Sequence, residues 1–359
     1  MSQVMTAAQF SLEDITDPLT REVLGLVWAS RRGLTETELR RLLKPTDLPQ
    51  LPPAAWLPLR SALEEWLVDR AGILNFAHDS LRAAAEIAFA PNEDRRDELR
   101  LRLADDFEQQ PISPRSCDEL LWLLLQTESY QCLRLCLLDV DRFLEINKSD
   151  EDQLRRYWVH LGEERTMGSQ YLASFEQWYK LADRDENRIS YSANQLGLFL
   201  IHSGLYGDAE PFVRCELAID EKSYGAEHTA VARDLNNLAG LLERTDRLAE
   251  AEPLYRRAQA IFEKNLGVNH PDVGTSLNNL GQVLKKLNRM TEAEPTMLRA
   301  VQIFLQFARV TNQLDPRLQM AINNYGRLLE AMGRSEAQIQ AALHEVAPDL
   351  CVRMNQANR

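Results

Sequence analysis

Leu235-Asn236-Asn237-Leu238-Ala239-Gly240-Leu241-Leu242 and Leu277-Asn278-Asn279-Leu280-Gly281-Gln282-Val283-Leu284 stand 42 residues apart and are one segment written twice. The same offset relates Arg247 to Arg289, Ala258 to Ala300, and Glu250-Ala251-Glu252-Pro253 to Glu292-Ala293-Glu294-Pro295. Stepping back by 42 gives Asn194-Gln195-Leu196-Gly197 and Asp208-Ala209-Glu210-Pro211, and between units Gly225 and His228 return as Gly267 and His270. A fourth unit, Asn323-Asn324-Tyr325-Gly326, follows after 45 residues. A fixed period of this length marks one small structural unit repeated along the chain.

Each unit predicts two helices. Leu235, Leu238, Leu241 and Leu242 make one apolar stripe at helical spacing, and Ala251, Leu254, Tyr255, Ala258 and Ile261 make a second. Gly204, Asp246, Asn288 and Gly333 stand eight residues after the leading Leu or Tyr of each unit. These residue types accept the left-handed backbone that ends a helix in a tight turn. Thr291 and Glu294 are spaced as a capping box opening the second helix of the third unit. Gly197, Ala239, Gly281 and Gly326 predict one close helix crossing; Ala209, Ala251, Ala293 and Ala337 predict another. One hairpin cannot bury its stripe alone, so the units must stack into a solenoid.

The string Leu-Gly, His-Pro, Leu-Asn-Asn-Leu-Gly, Arg, Glu-Ala-Glu-Pro at this period resembles the tetratricopeptide (TPR) repeat of the kinesin-light-chain type over about residues 188–348. Glu216, where Ala258 and Ala300 stand, departs from the pattern, as do Ala341 and His344 in the last unit.

In the first half, Asp17-Pro18 opens a helix, Arg32-Gly33 closes it, and Thr35 caps Glu36 to Leu43. After a proline-rich loop, a third helix carries Trp56, Leu59, Leu63, Trp66 and Leu67. Residues 67–76 read as a hairpin turning at Gly72, followed by a helix capped by Asp79 or Ser80. Three helices, a hairpin and a trailing helix imply a winged-helix module. Gly72 to Arg82 resembles the winged-helix element of NACHT-type STAND ATPases, and Asp118 to Leu124 and Leu137 to Glu145 are similar to their helical connector. No Gly-x-x-x-x-Gly-Lys-Ser/Thr loop occurs, so the phosphate-cradling motor of such proteins is absent from the sequence.

The fold expected is all-α: a winged-helix module with one small β-hairpin, a helical connector, then a right-handed TPR α-solenoid of about four repeats. The expected limits are a tail at 1–14, the winged-helix-like module at 15–95, the connector at 96–187, the solenoid at 188–350 and a tail at 351–359.

The 359 residues contain 41 Lys+Arg and 54 Asp+Glu, a net charge of −13. That balance argues against a partner held through phosphates, which needs basic surface. Residues 1–110 hold 13 basic and 19 acidic side chains, so the winged helix is not expected to bind nucleic acid. No stretch predicts a membrane span or a signal peptide. Five scattered cysteines, Cys117, Cys132, Cys136, Cys215 and Cys351, fit reduced thiols in a cytoplasmic protein, with Cys132 and Cys136 packing in the core.

His78, Asp79 and Ser80 are neighbours opening a helix and cannot face one another as a catalytic set. His228 and His270 lie in equivalent loops of stacked units, where loop hydrogen bonding is expected rather than a shared metal. No catalytic residue, cofactor or metal is expected; the function implied is non-catalytic protein recognition.

Asn194, Asn236, Asn278 and Asn323 fall on the face of the first helices that lines a solenoid's groove. A carboxamide both donates and accepts, so it can pair with any extended peptide backbone. Resemblance to kinesin-light-chain repeats implies that these residues clamp a peptide; the alternative is that they bond across to adjacent helices. Tyr191, Arg233, Arg244, Gln282, Glu243, Lys285 and Lys286 occupy nearby slots. Their four cations make an extended, acidic peptide the expected ligand, for an adaptor or sensor. The alternative is the regulatory rear of a STAND-type switch, with repeats sensing a trigger and the winged helix relaying it. The oligomeric state is not predicted.

Overall fold

The structure is a computed structural model that describes residues 15–181, 185–311 and 315–346. The tails expected at 1–14 and 351–359, with Cys351, lie outside the described residues. The chain divides into two compact units between Glu164 and Arg165.

The first unit opens with α1 (Pro18–Ala29), whose N-terminus is capped by the Asp17 carboxylate accepting the Thr20 N–H at 2.7 Å. Gly33 then turns the chain at φ +93°. A Cβ there would sit 2.4 Å from the Leu74 carbonyl oxygen, so glycine alone permits this approach. β1 (Leu34–Thr35) leads into α2 (Glu36–Leu42), where Thr35 and Glu38 form a reciprocal capping box. α3 (Pro53–Ala62), β2 (Leu67–Arg70) and β3 (Ile73–Phe76) follow. Ala71 and Gly72 link the strands with φ of +55° and +84°, as a two-residue hairpin of right-handed twist requires.

Two details correct the sequence reading. The sheet has three antiparallel strands in the order β1-β3-β2, with Leu34 opposite Leu74 and Thr35 opposite Ile73, not the two of a bare hairpin. Two residues cannot show an alternating pattern, so β1 left no signal. α3 stops at Ala62, which leaves Trp66 in the turn and puts the buried Leu67 on β2.

α4 (Asp79–Phe89) begins with His78 at the cap position, without a side-chain bond, in place of Asp79 or Ser80. α5 (Glu93–Glu108), α6 (Pro114–Gln126), α7 (Tyr130–Leu138), α8 (Val140–Ser149) and α9 (Glu151–Leu161) complete the unit. Leu24, Val27, Leu39, Leu99 and Phe107 form its dry centre. The fully buried Glu119 accepts the Arg31 and Arg32 backbone N–H groups at 2.9 Å each, while Asp118 pairs with both side chains; this clasp ties α6 to the turn after α1. Burial pushes the Cys117 thiol up and the Cys136 thiol to about 12, which leaves them inert packing groups; Cys132, expected beside Cys136 in the core, is exposed.

In the second unit α10 (Met167–Lys180) precedes four hairpins: α11 (Glu186–His202) with α12 (Tyr206–Tyr224), α13 (Thr229–Arg244) with α14 (Leu248–Leu266), α15 (Pro271–Lys286) with α16 (Met290–Thr311), and α17 (Pro316–Ala331) with α18 (Glu336–Val346). Each first helix packs on its own partner and, from α13 onward, on the second helix of the preceding hairpin. Val231, Leu235, Ala258, Ile261, Val273 and Ile303 form one such continuous core.

All four predicted turn residues are left-handed: Gly204 at φ +78°, Asp246 at +61°, Asn288 at +59° and Gly333 at +81°. The next residue's N–H reaches back to the helix, as Leu205 to Leu200 and Arg247 to Leu242 at 2.8 Å, Arg289 to Leu284 at 2.9 Å and Arg334 to Leu329 at 3.1 Å. This is the Schellman closure, and it satisfies carbonyls that the helix end would orphan. α16 starts at Met290, so Thr291 lies inside it and is not the cap expected.

The small-residue slots are crossings. A Cβ on Gly281 would lie 2.4 Å from Met297 Cγ, and Ala209, Ala251 and Ala293 have no exposed surface; Ala337, in the last hairpin, is exposed. The repeated Arg and Glu residues stitch hairpin to hairpin. Arg247 bridges Glu210 of the preceding hairpin at 2.5 Å and Glu250 at 2.7 Å; Arg289 repeats this with Glu252 at 2.6 Å and Glu292 at 2.7 Å. α10 packs on α11 and α12, with Tyr171 edge-on to Phe199 and Phe175 against Phe212. No described helix is long and apolar enough to cross a membrane.

Candidate functional site

The asparagine-bearing faces of α11, α13 and α15, with Arg317 of α17, border two cavities, of about 270 and 750 Å³. Asn236, Asn237 and Asn279 line both. Asn194, Leu198, Tyr206, Glu216 and Arg244 belong to the smaller, and Asp220, Tyr224, His228, Arg233, His270 and Arg317 to the larger.

The four asparagines singled out by the repeat do not form one free row. Asn194 donates to Glu216 Oε1 on α12 at 2.8 Å. Asn236 donates to Ser276 Oγ on α15 at 2.8 Å, while its buried Oδ1 has no partner. Asn278 is buried; it donates to Asn279 at 3.2 Å and accepts from Asn324 on α17 at 3.0 Å. Asn323 is exposed and accepts from Gln319 at 3.0 Å. Bonding to adjacent helices, the alternative reading, therefore describes Asn194, Asn278 and the amide nitrogen of Asn236. Each lies on the edge of its helix nearest a neighbour, where a carboxamide finds a partner before solvent does. Asn237, exposed, and Asn279, half-buried, reach the cavities instead; the repeat quoted both, but their position one residue round the helix was not read as the groove.

Of the four cations expected to make the groove basic, three are engaged. Arg244 stacks over Tyr206 at 5.2 Å, Lys285 donates to the Arg327 carbonyl at 3.1 Å, and Lys286 pairs with Glu243 at 3.0 Å. Arg233 stays 67% exposed, with Asp234 4.0 Å away. Tyr191 is exposed and Gln282 half-buried on the same face.

Sequence reasoning missed a cluster of carboxylates where α12 meets α13. Glu216, Asp220 and Asp234 are 6%, 8% and 0% exposed. The register could have revealed them, because the next hairpin holds Ala258 and Phe262 at the first two positions and Ser276 at the third. Ser190 donates to Asp220 at 3.3 Å. Among the described residues no amide, hydroxyl or cation donates to the Asp234 oxygens, and its carboxyl bonds Asp220 instead. Loss of water, then the charges of Glu216 and Asp220, push Asp234 up to about 8, and burial likewise raises Glu216.

His228 and His270 cap α13 and α15, each Nδ1 accepting a backbone N–H at 3.2 Å, from Ala230 and Asp272. In the first unit, His78 is exposed, and the solvent face of α3 carries Ala54, Ala55, Leu57, Pro58 and Ser61, with the half-buried Arg60 as the helix's one cation.

The tetratricopeptide repeat family matches residues 188–264 and 235–306. The chain is 29% identical over 235 residues to nephrocystin-3 of Mus musculus, covering 61% of this chain and 17% of that protein. It is 28% identical over 241 residues to nephrocystin-3 of Homo sapiens, covering 64% and 18%. The chain thus spans less than a fifth of the length of the curated relatives it matches. Among solved structures it is similar to BtubC (BKLC) from P. vanneervenii, with a TM-score of 0.45, 21% identity and coverage of 71% of this chain and 92% of that one. It is similar too to a putative kinesin light chain of Podosopora anserina with nearly identical TPR-like repeats (TM-score 0.41, 20% identity, 55% and 92% covered). A STAND protein with a tetratricopeptide repeat sensor from Pyrococcus horikoshii gives a TM-score of 0.38 at 14% identity over 94% and 58%. Residues 188–306 of this chain match the tetratricopeptide repeat family.

Proposed function

We propose that the chain is a non-catalytic interaction module of the cytoplasm whose repeats bind an extended peptide, or a segment of a partner protein, along the asparagine-lined face. One observation carries this reading: two cavities meet at Asn236, Asn237 and Asn279, and the Asn236 Oδ1 there is a buried acceptor with nothing to accept. A buried carbonyl without a donor is unfavourable, and a small turn of the Asn236 side chain towards a peptide N–H laid along the groove would satisfy it. Asn237 and Asn279 then supply the donor and acceptor pairs that grip a main chain without reading its sequence.

The acidity expected of the ligand is not kept, because it rested on cations of which three already have partners. The domain limits expected at 15–95, 96–187 and 188–350 stand as part of the proposal. The regulatory reading draws on one observation, the helix-strand-helix-helix-hairpin order of residues 18–76, which is the order of a winged helix.

The test is selection of a random peptide library on the full chain, followed by affinity measurement on the Asn237→Ala, Asn279→Ala double variant. Peptides recovered on the natural sequence should bind the variant at least about tenfold more weakly, the loss of two to three neutral hydrogen bonds. Equal affinity would overturn the groove.

A further inference from the structure

We propose that the seam between α12 and α13 is the anchor of that groove, and that it receives a basic side chain of the bound polypeptide. The inference rests on the peptide-groove reading and adds the chemistry of its key contact.

The other hairpin junctions are apolar where this one is acidic. Ala258 and Phe262 on α14, and Ala300 and Phe304 on α16, are buried in the cores that Glu216 and Asp220 interrupt on α12. From α13, Asp234 enters with no exposed surface and bonds Asp220, so that one proton serves the two carboxyls. Buried carboxylates persist when they are paired, and removing them from water without a counter-charge is strongly unfavourable. The seam's own means of balance are few. α11 offers the Ser190 hydroxyl to Asp220 and the Asn194 amide to Glu216. The nearest cation on α13, Arg233, stands 4.0 Å from Asp234 with most of its side chain in solvent.

Counting donors and acceptors identifies the missing group. With Asp234 protonated and bonded to Asp220, the acceptors left for a ligand are the Asn236 Oδ1 and the remaining oxygens of the Glu216 and Asp220 carboxylates; the Asn236 amide is already spent on Ser276. A guanidinium brings five N–H donors and no acceptor, and an ammonium three. Access exists on both sides, since Glu216 borders the smaller cavity and Asp220 the larger, each alongside Asn236 and Asn237. A peptide held by its main chain on Asn237 and Asn279 would thus carry one side chain into the seam.

The experiment selects a random twelve-residue peptide library on the full chain and on a variant with Glu216→Ala, Asp220→Phe and Asp234→Ser, the residues of the following hairpin at those positions. That variant restores an apolar junction, and a melting temperature no lower than that of the natural sequence shows that it folds; Glu216→Gln with Asp220→Asn serves as a shape-preserving second variant. Peptides recovered on the natural sequence should share an Arg or Lys at one position. Replacing that residue by Ala should weaken binding about tenfold or more to the natural chain and less than about twofold to either variant. Peptides without a shared basic position, or an equal loss on all three proteins, would overturn the anchor while leaving the groove standing. Recovery of no peptide would overturn both.

Discussion

Asp234 shows how much one residue can reveal. Its sister positions, Ser192 and Ser276, bond to their own helices through Arg188 and Asp272 carbonyls, a place where a hydroxyl is at ease and a carboxylate is not. Burial, then Glu216 and Asp220 from α12, raise the pKa of Asp234 to about 8 against the opposing pull of Arg233 on its own helix, while Ser190 and Asn194 on α11 bond the two neighbouring carboxylates. An unfolded aspartate loses the proton near pH 4. The folded state therefore binds more protons across that window. Stability linked to this group is complete below about pH 4 and is lost as pH rises towards 8. Thermal melting should show the second unit losing stability between pH 5 and pH 8.5, and Asp234→Ser should flatten that slope. One kcal/mol corresponds to about 2–4 °C at this size. A natural chain whose melting temperature is level or rises over the window would show that Asp234 is ionised in the fold.

At the scale of the element, the helix-ending turns were fully legible. Gly204, Asp246, Asn288 and Gly333 come from the short list of residues that accept positive φ, and each takes it. Glycine does so with less strain than Asn or Asp. Asn288→Gly should accordingly raise stability by a few tenths to about 1 kcal/mol, and Gly204→Ala should lower it by about 1 kcal/mol or more, read from denaturant midpoints at constant slope. The opposite order would mean that these turns are held by contacts other than their backbone. What the sequence hid is equally physical. β1 is two residues long, too short for a period. The asparagines are doubled, and a rotation of one residue, about 100° round a helix, decides which of each pair meets a neighbour and which meets the groove. Asn278 turned inward and Asn237 outward for that reason, so the stripe could be read from spacing while the site could not.

At the scale of the whole molecule, hairpins too thin to stand alone bury their stripes against one another, and Arg247 and Arg289 pin neighbouring pairs from outside. The face left over is polar, indented and short of donors. The central claim is that this face holds another polypeptide, and site-specific photocrosslinking tests it most directly. A photoreactive phenylalanine in place of exposed Arg233, which borders the larger cavity with Asn237 and Asn279, should capture library-selected peptides on the full chain, whereas the same group in place of Ala260, exposed on α14, should not. Equal labelling at the two positions, or labelling at Ala260 alone, would contradict it.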